Sequence, residues 1–330
     1  MPGQLPTGAL NAITDVAGVR VGHVTLQEGD RTRTGVTAIL PHGGNLYQDK
    51  VPAGLAILNG YGKLAGSTQL LELGELETPI ILTNTLAVGR AIEGVNRWTL
   101  AQPGNERVGS LNAVVGETND GRLNDIRAAL PTAEQVIAAI DSAKTGPVAE
   151  GCVGAGTGTV AFGHKGGIGT SSRRVEVAGM AYDLGVLVQS NYGGALRIDG
   201  RDRRACTAAD TDGSIMIVLA TDAPLSDRNL RRLAERCFGG LARTGAALSN
   251  GSGDYALAFS TAETVRRTPA RRGQVATIAD LPNDQMSPLF LAAIEATEES
   301  ILNSLFMAVT TAGFDVARQA SVTVKALRSA

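Results

Sequence analysis

The chain has 330 residues, of which 43% are hydrophobic and 19% charged, and its formal net charge is −2. Single cores stop growing near ~250–300 residues, so this length allows one large domain or two ordinary ones. The near-neutral charge excludes an electrostatic case for binding nucleic acid or an anionic membrane surface. No apolar run approaches the ~18–20 residues that cross a bilayer.

The N-terminus and the cysteines point to the same compartment. The first residues carry no basic region followed by an apolar one, which a signal peptide would need. Cys152, Cys206 and Cys237 cannot pair completely, and none lies in a CxxC motif. We therefore expect a soluble, cytoplasmic protein.

The predicted elements mix strands and helices without a regular alternation. In chain order they are strands within 12–40 and at 51–58, a helix at 63–75, a strand at 79–83, helices at 84–97 and 131–144, strands at 174–180, 184–190 and 214–220, a helix at 226–239, a strand at 255–259, a helix at 287–308 and a strand at 321–324. In the helix at 131–144 we expect Pro131 in the first turn. This order favours α+β layers. No segment is rich enough in Pro, Gly or Ser to be a linker, so we expect one domain, 1–330.

A glycine-rich segment at 154–158 suggests nucleotide binding but lacks the required spacing. The third glycine of a dinucleotide fingerprint is replaced by Thr159, and His164 rather than glycine precedes Lys165, which excludes a P-loop. No Cys or His residues have zinc-ligand spacing. The histidines are too few and too scattered for a Ser–His–Asp triad: His23, His42 and His164. We predict no cofactor and no metal.

Residues 248–260, LSNGSGDYALAFS, join a turn-prone segment to an apolar strand. An ordinary loop entering a strand is one interpretation, because Gly and Ser are common turn residues. The other is self-cleavage, in which Gly251 leaves room around the scissile carbonyl and the Ser252 hydroxyl attacks it. The freed α-amine has a reference pKa of ~7.7–8 and would act as base for its own hydroxyl. Such an enzyme needs no histidine.

Eight segments in order along nearly the whole chain carry a family resemblance. They are 11–26 (NAITDVAGVRVGHVTL), 35–41 (GVTAILP), 114–126 (VVGETNDGRLNDI), 154–173 (GAGTGTVAFGHKGGIGTSSR), 186–193 (VLVQSNYG), 213–225 (GSIMIVLATDAPL), 250–262 (NGSGDYALAFSTA) and 295–305 (EATEESILNSL). Together they resemble the DmpA/BapA-type L-aminopeptidase/D-esterases and β-peptidyl aminopeptidases of peptidase family S58, a group that includes the nylon-oligomer hydrolases.

The resemblance implies an α+β fold, a four-layer αββα sandwich of the N-terminal-nucleophile-hydrolase type that ornithine acetyltransferase shares. It implies self-cleavage into an α-chain of residues 1–251 and a β-chain of residues 252–330, which stay associated and assemble as a homotetramer. The implied activity is release of N-terminal residues from small peptides, amides or esters through an acyl-enzyme.

The resemblance also assigns roles to single residues. Ser252 matches the nucleophile, and Asn191 matches a side-chain donor to the oxyanion, although a turn residue ending a strand is the alternative. Lys165 matches a lysine near the nucleophile, where an ammonium would stabilise the oxyanion or lower the pKa of the amine; a solvated turn lysine is its alternative. Thr297 and Glu299 inherit a role in orienting the Ser252 amine.

Glu117 is a candidate for binding the substrate's ammonium group, because a carboxylate recognises a free amine by charge-assisted hydrogen bonding. A solvated loop glutamate is the alternative. One departure from the family concerns Phe162, which lies near the position where some members carry a catalytic tyrosine.

Three other functions remain open at this stage. The first is an acyltransferase of the ornithine acetyltransferase type, in which an amine intercepts the acyl-enzyme. The second is a nylon-oligomer-like endo-amidase. The third is a non-catalytic binding or scaffold protein, which would remain one intact chain.

Overall fold

The structure is a computed structural model that describes residues 3–203 and 212–329. Cys206 lies outside the described residues. The strands, in chain order, are β1 (Arg20–Glu28), β2 (Thr32–Leu40), β3 (Val51–Gly60), β4 (Leu64–Ala65), β5 (Glu75–Leu76), β6 (Ile80–Asn84), β7 (Val114–Thr118), β8 (Val160–Ala161), β9 (His164–Lys165), β10 (Gly167–Val177), β11 (Met180–Asn191), β12 (Arg197–Ile198), β13 (Arg201–Asp202), β14 (Ser214–Thr221), β15 (Gly253–Ser260), β16 (Thr311–Asp315) and β17 (Ala320–Val324).

The helices connect the strands of two main sheets. They are α1 (Ser67–Leu73), α2 (Val88–Leu100), α3 (Ala133–Asp141), α4 (Asp227–Arg243), α5 (Pro269–Arg272) and α6 (Ser287–Phe306). One sheet has the strand order β1-β2-β6-β7-β4, and the other has the order β10-β11-β14-β15-β3-β5.

Three apolar clusters define four layers. One cluster joins α4 and α6 to the six-stranded sheet, and it includes Leu233 of α4 and Ile217 of β14. A second fills the space between the sheets, and a third joins the five-stranded sheet to α2 and α3. Because successive side chains along a strand point to opposite faces of the sheet, one strand contributes residues to two clusters. Ala256 and Ala258 of β15 face the helices, whereas Leu257 faces the other sheet. The predicted αββα sandwich is confirmed.

Close approach between layers depends on glycine at two positions. A Cβ atom on Gly169 would lie 1.9 Å from the Ser300 carbonyl oxygen of α6, and one on Gly54 would lie 2.1 Å from the Arg231 nitrogen of α4. Because both obstacles are helix backbone, a larger residue would push the helix off the sheet.

Strand register brings four strand ends together. β15 runs parallel to β14 with Gly253 beside Ser214, and β11 runs antiparallel to β14 with Asn191 beside Ser214. On the other side, Gly60 of β3 lies beside Gly253. The residue that precedes β15, Ser252, therefore lies at the same edge of the sheet as Asn191.

The predicted elements are largely confirmed, with two local differences. The segment predicted as a helix at 63–75 forms β4 and then α1, because Gly66 adopts a left-handed conformation between them. Pro131 precedes the helix rather than lying in its first turn. Thr132 is the N-cap of α3, where its hydroxyl accepts from the Gln135 N–H and the Gln135 side chain accepts from the Thr132 N–H.

Candidate active site

Ser252 lies in a tight turn that leads directly into β15. Its side chain is buried, and its backbone N–H donates to the Ser249 carbonyl at 3.0 Å. The amide of Asn59 contacts the carbonyl oxygens of Ser249, Asn250 and Ser252 at 3.1, 3.0 and 2.5 Å. One side chain from β3 therefore holds the backbone on both sides of Gly251 in place.

Asp254 is the hydrogen-bond partner of the Ser252 hydroxyl. The Ser252 Oγ donates to Asp254 Oδ1 at 2.6 Å, and the Asp254 side chain is 1% exposed. Among the described residues, Asp254 Oδ2 has no hydrogen-bond partner. Burial raises the pKa of this carboxyl, and the hydrogen bond from Ser252 partly offsets the shift. The sequence analysis did not single out Asp254, although residues two apart on a strand share a face.

A cavity of about 630 Å³ opens beside the turn. Its walls come from the ends of both sheets and from the turn itself: Tyr61, Lys63, Thr85, Glu117, Asn119, Asp212, Gly213, Ser214, Asn250 and Gly251. A Cβ atom on Gly251 would lie 2.7 Å from Asp212 Cγ. A side chain at residue 251 would therefore clash with Asp212, and glycine avoids this clash.

Glu117 is a buried carboxylate in the cavity wall rather than a solvated loop residue. It lies near the end of β7 and is 3% exposed. Its Oε1 accepts from the Lys63 backbone N–H at 3.0 Å, and its Oε2 accepts from the Thr85 hydroxyl. The Lys63 ammonium lies 3.8 Å from Oε1. A negative charge is therefore held in one place within the cavity.

Asn191 and the cavity are linked through one neighbour. The Asn191 Nδ2 donates to the Asn119 carbonyl at 3.0 Å, and its Oδ1 accepts from the Val160 N–H at 2.9 Å. Asn119 itself lines the cavity. These two bonds fix the orientation of the amide and leave Nδ2 one further hydrogen to donate.

Lys165 is buried, so it is not a solvated turn lysine. Its ammonium donates to the carbonyl oxygens of Gly156, Thr159 and Gly166 at 2.8, 2.9 and 2.8 Å, which uses all three hydrogens. Burial lowers the pKa of this ammonium to about 8, and nearby Cys152 and Asp120 partly offset the shift. In this arrangement Lys165 supports the glycine-rich loop and has no hydrogen left to donate to an oxyanion.

The structure does not bring Glu299 to Ser252. Glu299 forms an ion pair with Arg173 at 2.7 Å and accepts from the Asn11 side chain at 2.9 Å. Strand register places Arg173 level with Ser260, at the end of the sheet opposite Gly253. At about 3.3 Å per strand residue, the eight residues from Ser252 to Ser260 span roughly 26 Å along the sheet.

Thr297 is also turned away from the predicted position. It is fully buried between α6 and α4, where a Cβ atom on Gly240 would lie 2.8 Å from Thr297 Cβ, and it lies beside the Cys237 thiol. The structure does not bring Thr297 or Glu299 to Ser252, because Thr297 packs against α4 and Glu299 is held by Arg173.

Phe162, which replaces the tyrosine of some relatives, is buried against Tyr192. The two rings meet edge to face with centroids 5.0 Å apart. The Tyr192 hydroxyl is paired with Thr244 at 3.3 Å. Neither ring offers a free hydroxyl to the turn at Ser252.

Comparison with known proteins identifies the family. Residues 11–319 match the family model described as peptidase family S58. The chain belongs to peptidase family S58. This S58 peptidase is 43% identical over 338 residues to a protein named beta-peptidyl aminopeptidase BapA from Sphingosinicella microcystinivorans, a match that covers 93% of the chain and 84% of the relative.

Two solved structures share the fold of this S58 peptidase over 99% of its length. The PH0078 protein from Pyrococcus horikoshii OT3 is 46% identical, with a TM-score of 0.89 and 94% of that chain covered. The L-aminopeptidase D-Ala-esterase/amidase from Ochrobactrum anthropi is 36% identical, with a TM-score of 0.91 and 93% of that chain covered, and it is described as a variant of the Ntn hydrolase fold. The S58 peptidase is therefore an N-terminal-nucleophile hydrolase of the aminopeptidase/amidase class.

Within 3–203 and 212–329, no group of three or more His, Cys, Asp or Glu side chains is placed to hold a metal ion. Over the same ranges, no helix is long and apolar enough to cross a membrane.

Proposed function

We propose that this S58 peptidase is cut between Gly251 and Ser252, and that Ser252 then releases N-terminal residues from small peptides, amides or esters. The observation that carries the proposal is that Gly251 and the buried carboxylate of Glu117 line the same cavity. The products of the cut are an α-chain of residues 1–251 and a β-chain of residues 252–330. They remain associated through β15, which pairs with β14 on one side and with β3 on the other.

In the cut enzyme, one residue supplies both the attacking oxygen and the base. The Ser252 α-amine has a reference pKa of ~7.7–8, so a large share is neutral near neutral pH and accepts the hydroxyl proton. The hydroxyl oxygen attacks the substrate carbonyl, and the Asn191 N–H stabilises the resulting oxyanion. The amine returns the proton to the leaving group, and water hydrolyses the acyl-enzyme.

The substrate's free amine is recognised by Glu117. The carboxylate is fixed by the Lys63 N–H and the Thr85 hydroxyl, so it is already oriented before an ammonium group binds. Because two relatives are named β-peptidyl aminopeptidases, we propose that the substrates of this chain include peptides with an N-terminal β-amino acid residue. We further propose a cytoplasmic homotetramer of cut protomers, as the family resemblance implies.

Replacing Glu117 by glutamine tests this assignment. Loss of a hydrogen bond to a charged group costs ~1.5–3 kcal/mol, which corresponds to a ~10–150-fold fall in kcat/KM. We expect the fall to appear mainly as a higher KM for substrates with a free amine. Steady-state kinetics with matched free and N-acetylated substrates measure it, and the wild type's preference for the free amine should shrink in the variant.

Glu77→Gln provides the matched control, because Glu77 is also a buried glutamate paired with a lysine, Lys50, at 2.5 Å. Glu77 does not line the cavity. An unchanged kcat/KM and an unchanged preference for the free amine in Glu117→Gln would contradict the role of Glu117 in binding the amine.

A further inference from the structure

Self-cleavage requires a base, and this base cannot be the α-amine that acts in the mature enzyme. In the uncut chain the nitrogen of Ser252 belongs to a peptide bond, and its N–H donates to the Ser249 carbonyl. An amide nitrogen has no available lone pair and cannot accept the hydroxyl proton. The α-amine that serves as base in the cut enzyme does not exist until the cut has been made.

Four other candidate bases are engaged elsewhere or are far away. The Lys165 ammonium donates to three carbonyl oxygens, and Glu299 pairs with Arg173 at the other end of the sheet. The ring of His23 contacts Thr37, and the ring of His42 contacts the Asp49 carbonyl. The carboxylate on the Ser252 hydroxyl itself is that of Asp254, at 2.6 Å.

We propose that Asp254 is the general base that activates Ser252 for cleavage of the 251–252 bond. The inference rests on the proposed function, since it explains the first step of the same self-cleavage. Asp254 is the second residue of β15 and Ser252 immediately precedes that strand, and the 2.6 Å hydrogen bond shows that their side chains meet. Their hydrogen bond joins two buried groups, so bulk water does not compete for the proton.

The step balances within the chain. The Asp254 carboxylate takes the Ser252 hydroxyl proton, and Oγ forms a bond to the Gly251 carbonyl carbon. The bond from that carbon to the Ser252 nitrogen then breaks, and protonated Asp254 gives its proton to the departing nitrogen. The product is an ester between Gly251 and Ser252, with Asp254 again ionised. Water hydrolyses the ester to a Gly251 carboxyl group and a free Ser252 hydroxyl.

The surroundings of Asp254 suit this role. Its Oδ2 has no hydrogen-bond partner among the described residues, so few bonds compete with proton acceptance. The titratable neighbours are the Tyr192 and Tyr255 phenols, whose pKa values burial raises, so both are neutral. Burial also raises the pKa of Asp254, which makes its carboxylate a stronger base. Since the ionised form is the active one, cleavage is lost as the pH falls through that raised pKa.

The test follows newly made chain by cell-free synthesis and denaturing gel, comparing wild type, Asp254→Asn and the control Asp222→Asn. Asp222 is also a carboxyl whose pKa burial raises, but it lies beyond the opposite end of β14. Loss of a general base costs typically 10²–10⁴-fold, so we expect Asp254→Asn to be cut at least ~100 times more slowly. We expect Asp222→Asn to be cut at the wild-type rate.

Three outcomes distinguish a failure of the Asp254 assignment from a failure of the proposed function. If wild type is cut and a folded Asp254→Asn is cut equally fast, Asp254 is not the base although the proposed function stands. If hydroxylamine, which cleaves esters, restores fragment formation in Asp254→Asn, then the ester forms without the carboxylate and the assignment is overturned. If wild type itself is never cut, both the proposed function and the role of Asp254 fail.

The pH profile of wild-type cleavage keeps the inference testable if Asp254→Asn does not fold. We expect the rate to rise with pH through a pKa above the ~3.9 reference value of aspartate. In Asp254→Glu, the same ascending limb should persist at a lower plateau, because a carboxylate remains but its reach has changed. A wild-type rate that does not depend on pH over this range overturns the proposal.

Discussion

Replacing Ser252 by alanine is expected to leave one intact polypeptide near 34 kDa and to remove aminopeptidase activity. Alanine has no oxygen to attack the Gly251 carbonyl, so the chain is not cut and no α-amine is released at residue 252. The same substitution removes the nucleophile of the substrate reaction. A denaturing gel and an assay with a small free-amine substrate measure both effects on one preparation.

Ser260→Ala is the matched control for this substitution. Ser260 is a buried serine at the other end of the same strand, where its hydroxyl donates to the Ala223 carbonyl at 2.6 Å. Its loss should cost ~1 kcal/mol of stability but leave cleavage and activity unchanged. Two fragments, or wild-type activity, in Ser252→Ala would show that another residue is the nucleophile.

Replacing Asn191 by alanine is expected to lower kcat by about 10²–10³-fold, the usual cost of removing one oxyanion donor. The amide is held by Val160 and Asn119, so it is already oriented when the oxyanion forms. Because the oxyanion appears only in the reaction, KM should change far less than kcat. Steady-state kinetics on cut protein separate the two parameters.

A control is needed because the loss of Asn191 also lowers the stability of the folded protein. Asn191→Ala leaves the buried Val160 N–H without its acceptor, at a cost of ~1–3 kcal/mol in stability. Asn229→Ala is the control, because Asn229 is a buried, hydrogen-bonded asparagine of α4 that does not line the cavity. If both variants reduce kcat equally, or if Asn191→Ala keeps the wild-type kcat, Asn191 does not stabilise the oxyanion.

Local sequence patterns were sufficient for most of the elements and for the turn that carries Ser252. The apolar run of β15 and the three- and four-residue spacing of apolar side chains on α6 predict buried elements, and these patterns depend on near neighbours alone. The turn at Gly251 and Ser252 is also local, since it needs only small residues before a strand. The family resemblance, carried by segments along the chain, predicted the order of the four layers. That order cannot be predicted from any single helix or strand.

Strand register and helix placement decide which of the predicted site residues lie together. Thr297 and Glu299 belong to the right helix, yet α6 packs so that Glu299 meets Arg173 at the wrong end of the sheet for contact with Ser252. Three-dimensional packing decides that placement, and a short motif does not encode it. Asp254 could have been found, because its position two residues after Ser252 on a strand predicts a shared face.

Mass spectrometry of the purified, active enzyme, with N-terminal sequencing of the smaller fragment, tests the central claim most directly. The account predicts two polypeptides, residues 1–251 and 252–330, and a smaller fragment that begins Ser-Gly-Asp-Tyr. A fully active enzyme that consists of one unbroken chain, or a fragment that begins at another residue, would contradict it.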